Sequence, residues 1–96
     1  MIRNPLRARR DRAQRRLAEV FLARPDACHF GWDTARAARI SSGVLYPLLA
    51  RMEVDGWLES GWEDPAPVDR PARRWYRLTE LGRLELSALL SEEAAK

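Results

Sequence analysis

The fold is decided by the stretch from Ser42 to Leu58, which reads SGVLYPLLARMEVDGWL. Apolar residues recur in it at positions i, i+3, i+4 and i+7, which gives a helix one apolar face. These residues are Leu45, Leu48, Leu49 and Met52. Pro47 lacks an N–H and is tolerated only near the first turn of a helix, so the helix is predicted to begin near Ser42. Ser41 or Ser42 is the candidate N-cap, and Gly56 supplies the left-handed residue that ends the helix at about Asp55.

Two helices are predicted before this stretch. The first runs from about Asp11 to Arg24, because its apolar residues recur at helical spacing, and Pro25 ends it. A second, short helix runs from about Gly31 to Ala38. Residues 25–30 are predicted to be a connection, and residues 40–43 a turn between the second and third helices.

Two strands and a last helix are predicted after it. The strand-like runs are Trp57 to Glu63 and Arg73 to Thr79, joined by a proline-rich segment that excludes regular structure. Trp62 and Trp75 are expected to pair across the hairpin, and Trp32 and Trp57 to pack in the core with them. The last helix, from about Thr79 to Ala95, has leucines over a wide arc, so a partner chain is the expected cover.

This order of elements predicts an α+β, mostly α fold. It is a winged helix-turn-helix with a two-stranded wing and a C-terminal dimerisation helix. A length of 96 residues fits one domain of this kind. We divide the chain into a basic N-terminal arm (residues 1–10), the winged helix-turn-helix (residues 11–79) and the dimerisation helix (residues 80–96).

Composition and charge narrow the class of function. The net charge is +3, and seven arginines between positions 3 and 16 face a single acid, Asp11. Such a cluster fits either a face for a polyanion or a solvated arm, and charge alone leaves both open. Cys28 is the only cysteine and His29 the only histidine, and their adjacency does not give a metal-ligand set. We expect no enzyme activity, no metal and no cofactor. The absence of a signal peptide or an apolar spanning run predicts a cytoplasmic protein without membrane contact.

Two stretches resemble the PadR-like family of regulators. Residues 42–58 are similar to the family pattern S-G-T-L-Y-P-x-L-x-R-L-E-x-x-G-W-L for its third helix and first wing strand. Residues 70–83, which read RPARRWYRLTELGR, resemble its second wing strand and the following turn. Together they lie in the family's order and spacing within a span of about forty residues, from Ser42 to Arg83. The tyrosine–proline pair inside a helix makes the resemblance specific.

The resemblance implies a dimeric winged-helix repressor. In this family the third helix enters the major groove, the wing contacts the backbone or minor groove, and the N- and C-terminal helices form the dimer. Some members sense small molecules at the dimer interface, where the C-terminal helix often supplies a stacking ring. Here that helix has no aromatic residue, Val44 replaces the usual threonine, and the wing tip is rich in proline. A small-molecule effector is therefore left open without support from the residues.

Candidate site residues follow from the pattern and the resemblance together. For contact with DNA they are Ser41, Ser42, Tyr46 and Arg51 on the third helix, Arg36 and Arg39 on and after the second, and Arg70, Arg73 and Arg74 in the wing. The dimerisation candidates are Leu17, Phe21, Leu84, Leu86, Leu89 and Leu90. Each of these assignments has an alternative. The Tyr46 ring could cover the helix joint, and Arg51 could form a salt bridge with Glu53 or Asp55. Arg36 and Arg39 could form salt bridges with Asp33, and the wing could be a solvated loop.

The leading hypothesis is a sequence-specific regulator of transcription that binds double-stranded DNA. It would act as a homodimeric repressor on a palindromic operator, since two recognition helices about 34 Å apart match one DNA turn. One alternative is an architectural or recombination-directing DNA-binding factor of a mobile element. Another is a winged-helix module that binds protein, because fold does not fix function.

Overall fold

A computed structural model describes the backbone of residues 5–94 and the side chains of residues 11–92. The elements in chain order are α1 (Pro5–Ala23), β1 (His29–Phe30), α2 (Gly31–Ala38), α3 (Ser42–Val54), β2 (Leu58–Trp62), β3 (Arg74–Leu78) and α4 (Glu80–Ala94). The predicted winged helix-turn-helix is confirmed. α1 begins six residues before the predicted Asp11, with Pro5 at its first position, where a missing N–H costs nothing. The predicted arm therefore overlaps α1, and its first four residues lie outside the described part.

Strand β1 was not predicted. Residues 25–30 were expected to be a connection, yet His29 and Phe30 pair with Tyr76 and Trp75 of β3. The sheet is antiparallel in the order β1-β3-β2. A strand of two residues is too short to show alternation in sequence, which explains the omission.

The core lies between α1, α3, α4 and the sheet. Its fully buried large side chains are Leu17, Phe21, Leu45, Leu49, Met52 and Leu86. Leu17, Phe21 and Leu86, which the sequence analysis assigns to the dimer interface, are fully buried within the single chain and pack against its own core. Leu89 and Leu90 are half-buried against this core, and Leu84 is 61% exposed.

The hairpin register corrects the prediction for the tryptophans. Trp62 lies opposite Arg74, whereas Trp75 lies opposite Gly61, so the two rings do not form a cross-strand pair. The Trp75 ring instead covers Gly61, where it leaves no room for a Cβ. Trp57 packs against the core as expected. Trp62 is 60% exposed and Trp32 is 69% exposed, so neither is a core residue.

The C-terminal end of α3 and the N-terminal start of α4 both have recognisable capping motifs. Gly56, with φ of +80°, follows α3, and the Trp57 N–H donates to the Met52 carbonyl at 2.8 Å. This is a Schellman ending, as the sequence predicts. Thr79 is the N-cap of α4, since its Oγ1 accepts a hydrogen bond from the Gly82 N–H at 3.0 Å. No helix in the described part has the length and apolar character needed to cross a bilayer.

Candidate nucleic-acid interface

The joint between α2 and α3 is a tight turn with a left-handed arginine. Arg39 has φ of +58° and ψ of +48°. Its N–H donates to the Arg36 carbonyl at 3.3 Å, and the Ile40 N–H donates to the Ala35 carbonyl at 3.1 Å. This is the hydrogen-bond pattern of a Schellman motif, whose left-handed position usually holds glycine. A non-glycine residue there costs about 1–2 kcal/mol, and such strain is concentrated at functional sites.

Helix α3 presents a polar start and buries its apolar face. Leu45, Leu48, Leu49 and Met52 are buried, as predicted. Ser41, Ser42 and Gly43 are exposed at the beginning of the helix. Ser41 is the N-cap by position, but its side chain forms no capping hydrogen bond, so its hydroxyl is available to another acceptor or donor. Pro47 lies in the second turn rather than the first. The Gly43 carbonyl it leaves without a donor is in an exposed part of the helix, where water can bind it.

Tyr46 both packs within the fold and faces solvent. A Cβ added to Gly31 would lie 2.7 Å from the Tyr46 hydroxyl oxygen, so the ring lies tightly over the first residue of α2. The side chain is nevertheless 48% exposed. The ring therefore packs on the first residue of α2, and about half of the side chain stays exposed.

Two grooves meet at this joint. One, of about 370 Å³, lies between α2 and the start of α3, and the other, of about 360 Å³, lies between α1 and the same turn. They share Arg39, Ile40 and Ser41. The described residues that line them include Arg36 in the first groove and Arg12 and Arg16 in the second, and none of these lining residues is acidic. We call this surface the joint grooves.

Two arginines of the joint grooves, Arg36 and Arg39, have no ion-pair partner among the described residues, and the alternative bridge to Asp33 is not formed there. Arg16 Nη1 donates to the Arg39 carbonyl at 3.4 Å, which holds α1 beside the turn. Arg51 differs: its side chain is 77% exposed but pairs with Asp55 at 3.3 Å, one turn later in α3. The salt-bridge alternative thus holds for Arg51.

The wing arginines Arg70 and Arg73 share one carboxylate. Arg70 donates two hydrogen bonds to Glu63, at 2.7 and 3.1 Å, and Arg73 donates one from its side chain at 3.1 Å and one from its backbone N–H at 2.9 Å. These donors hold the pKa of Glu63 well below its usual range. Arg73 also lies 4.0 Å from the centre of the Phe30 ring. The wing loop is therefore an ordered, ion-paired structure.

Arg74 connects the wing to α3. Its Nη2 donates to the Ser60 hydroxyl at 2.6 Å and lies 3.6 Å from a Glu53 carboxylate oxygen. Ser60 in turn donates to Glu53. The guanidinium also lies 5.1 Å from the Trp62 ring. Glu53 belongs to α3 and Ser60 to β2, so this network fixes the orientation of the wing relative to the helix.

Comparison with known proteins agrees with this arrangement. A family model with the description "Transcriptional regulator PadR-like family" matches residues 33–88, more than half of the chain. The chain belongs to the PadR-like family of transcriptional regulators. A protein of Mycobacterium tuberculosis named "Transcriptional regulator Rv3488" is 40% identical over 80 residues, which are 79% of this chain and 72% of that protein. As a PadR-like protein the chain is a transcriptional regulator and not an enzyme.

Solved structures show the same PadR-like fold. A PadR-like transcription factor from Bacteroides fragilis superposes with a TM-score of 0.70 at 23% identity, over 96% of this chain and 91% of that one. A PadR-like transcriptional regulator from Bacillus cereus gives 0.68 at 19% identity, over 85% and 81%. At these identities the likeness concerns the fold alone.

Sequence reasoning did not assign Arg12, Arg16 or Trp32 to this surface. The arginines were counted only as part of an N-terminal cluster, although their i, i+4 spacing on a predicted helix places them on one face. Trp32 was assigned to the core because a large ring usually lies there. Nothing in the sequence alone indicates that it is exposed.

Proposed function

We propose that this PadR-like protein is a sequence-specific repressor that binds double-stranded DNA as a homodimer on a palindromic operator. The observation that carries the proposal is the pair of joint grooves. They place Arg36 and Arg39, unpaired among the described residues, beside the exposed start of α3. A major groove about 12 Å wide accepts one helix, and guanidinium groups beside that helix fit the flanking phosphates. Exposed hydroxyls at the helix start suit phosphate oxygens as well.

Tyr46 and Arg51 have different roles in this proposal. Tyr46 offers its open ring edge and hydroxyl to the sugar–phosphate backbone while the rest of the ring stays on Gly31. Arg51 reaches DNA only by leaving Asp55. Because that pair is exposed and on one helix, it contributes about 0.3–0.5 kcal/mol and can be exchanged for a phosphate.

The dimer is supported by the exposed side of α4. Leu81 is 46% exposed and Leu84 is 61% exposed, three residues apart on the same face. We propose that a second copy covers this face. Leu84→Glu is expected to shift the protein from dimer to monomer in sedimentation velocity. Val68→Glu, at an exposed apolar residue of the wing loop, serves as the control and is expected to leave the mass unchanged. A monomeric wild type at micromolar concentration would contradict the homodimer.

The DNA proposal is tested by a gel shift on the DNA upstream of the protein's own gene across a salt series. The logarithm of the binding constant should fall linearly with the logarithm of the salt concentration. Arg36→Ala should reduce the steepness of that line by about 1. Arg83→Ala is the matched control, since Arg83 lies on α4 and pairs with Asp26 at 2.7 Å. Weak binding without sequence preference would favour an architectural role instead. No binding at all would favour a protein-interaction module.

A further inference from the structure

Trp32 is a large aromatic residue that lies mostly exposed on α2. It is the second residue of α2 and is 69% exposed. The buried residues of this helix are Gly31, Thr34 and Ala38, so the indole contributes nothing to the core. A large aromatic ring left in water forgoes the burial that normally stabilises a small domain.

The surroundings of Trp32 are basic and polar. It lines the groove of about 370 Å³ together with Arg36, Arg39, Ser41, Ser42 and Tyr46. Arg36 lies four residues after Trp32, so both side chains are on the same face of α2. The other side of the groove is the start of α3, with its uncapped serine hydroxyl. None of the described residues that line this groove is acidic, and the neighbouring Asp33 lines a different pocket, beside Thr34 and Ala37. An indole beside two cations in such a groove suits an anion attached to an apolar body.

We propose that Trp32 is a DNA-contacting residue that binds a nucleotide of the strand flanking the recognition helix. The inference rests on the proposed function. It adds Trp32 to the arginines and hydroxyl-bearing residues already proposed to contact DNA. The indole packs on the deoxyribose, and its Nε1–H donates to the adjacent phosphate, which Arg36 and Arg39 also hold. A tryptophan N–H is a donor only, and the phosphate oxygens are acceptors only, so the pairing is chemically matched.

This contact has an energetic signature that differs from that of an arginine. The indole is uncharged, so its contact with DNA neutralises no phosphate and releases no counterion. Removing the indole therefore leaves the dependence of affinity on salt unchanged. Removing Arg36 lowers affinity and the salt slope together. The two contributions are therefore separable in a single series of measurements.

The experiment uses the full chain and its upstream operator duplex. Trp32→Ala is expected to weaken operator binding about tenfold, equivalent to about 1.4 kcal/mol, with the same salt slope as wild type. Trp32→Phe keeps a ring and is expected to lose less. Because residue 32 is exposed, both variants should unfold at the wild-type temperature, which circular dichroism checks.

A fluorescence measurement gives an independent readout. DNA should protect part of the tryptophan emission from acrylamide quenching. That protected part should be absent in Trp32→Phe and retained in Trp62→Phe, the control at the other strongly exposed tryptophan. Wild-type affinity for Trp32→Ala, together with unchanged protection in Trp32→Phe, would overturn the inference and leave the proposed function intact. A wild type that binds no DNA would overturn both.

Discussion

Replacing Arg39 by glycine is expected to stabilise the protein while weakening its binding to DNA. Arg39 has φ of +58°, a conformation that costs a residue with a side chain about 1–2 kcal/mol. Glycine adopts it freely but loses about 0.5–1 kcal/mol more conformational entropy on folding. The difference predicts a gain of about 0–1.5 kcal/mol in the free energy of unfolding, or up to roughly 12 °C in Tm for a chain of this size. The same change removes one cation from the joint grooves.

Arg36→Gly is the matched control because it removes a neighbouring arginine from an ordinary helical position. A glycine inside a helix is expected to lower the free energy of unfolding by about 1 kcal/mol. Both variants should weaken operator binding and reduce the salt slope by about 1. Thermal unfolding is followed by circular dichroism at one fixed protein concentration, since the proposed homodimer would make Tm depend on concentration. A less stable Arg39→Gly variant, or one that binds DNA as tightly as wild type, would refute the reasoning.

Four further substitutions test the packing, the wing and the pH dependence. In Gly82→Ala the new Cβ would overlap the Trp57 carbonyl, so the free energy of unfolding should fall by about 1–3 kcal/mol in urea denaturation. In Gly43→Ala the new Cβ makes only an ordinary contact with the Ser41 hydroxyl oxygen, at 4.0 Å, so the free energy of unfolding should rise by up to about 1 kcal/mol, and the opposite order would contradict the packing. Glu63→Gln weakens the hydrogen bonds that order the wing loop, so trypsin should cleave there faster at pH 8; an unchanged rate would count against an ordered loop. Burial lowers the pKa of His29, so its contribution to stability is full above about pH 6.5 and is lost as pH falls through the lowered value. His29→Gln should flatten the change in Tm between about pH 7 and pH 5, and equal slopes in both proteins would rule this out.

Much of the fold could be predicted because the decisive signals are local. The spacing of apolar residues fixed α3, Gly56 marked its end, and Thr79 marked the start of α4. These features depend on backbone geometry within a few residues. The two-residue strand β1 exists only because β3 lies beside it, and no local pattern carries that information.

The site was harder to predict because it depends on which partner each side chain finds. Arg70 and Arg36 look alike in sequence, yet Arg70 pairs with Glu63 across the hairpin while Arg36 has no described partner. Leu17 and Phe21, which were assigned to the dimer interface, show again that sequence does not identify what a side chain packs against. Leu17 and Phe21 recur at the spacing of an apolar face, but only the packed structure shows that this face lies against the chain's own core.

The proposed DNA interface predicts different shares of affinity for the joint grooves and the wing, because their arginines differ in the partners they already have. A phosphate that binds Arg73 must compete with Glu63, whose carboxylate already accepts two hydrogen bonds from that residue. A phosphate that binds Arg36 displaces no side-chain partner among the described residues. Since a charge contributes to affinity only by what it gains over its existing partner, Arg73→Ala should cost less affinity and less salt slope than Arg36→Ala. Equal losses in the two variants would mean that the wing exchanges Glu63 for DNA at no cost. The ion pairs between Glu63 and the wing arginines would then exist only in the protein without DNA.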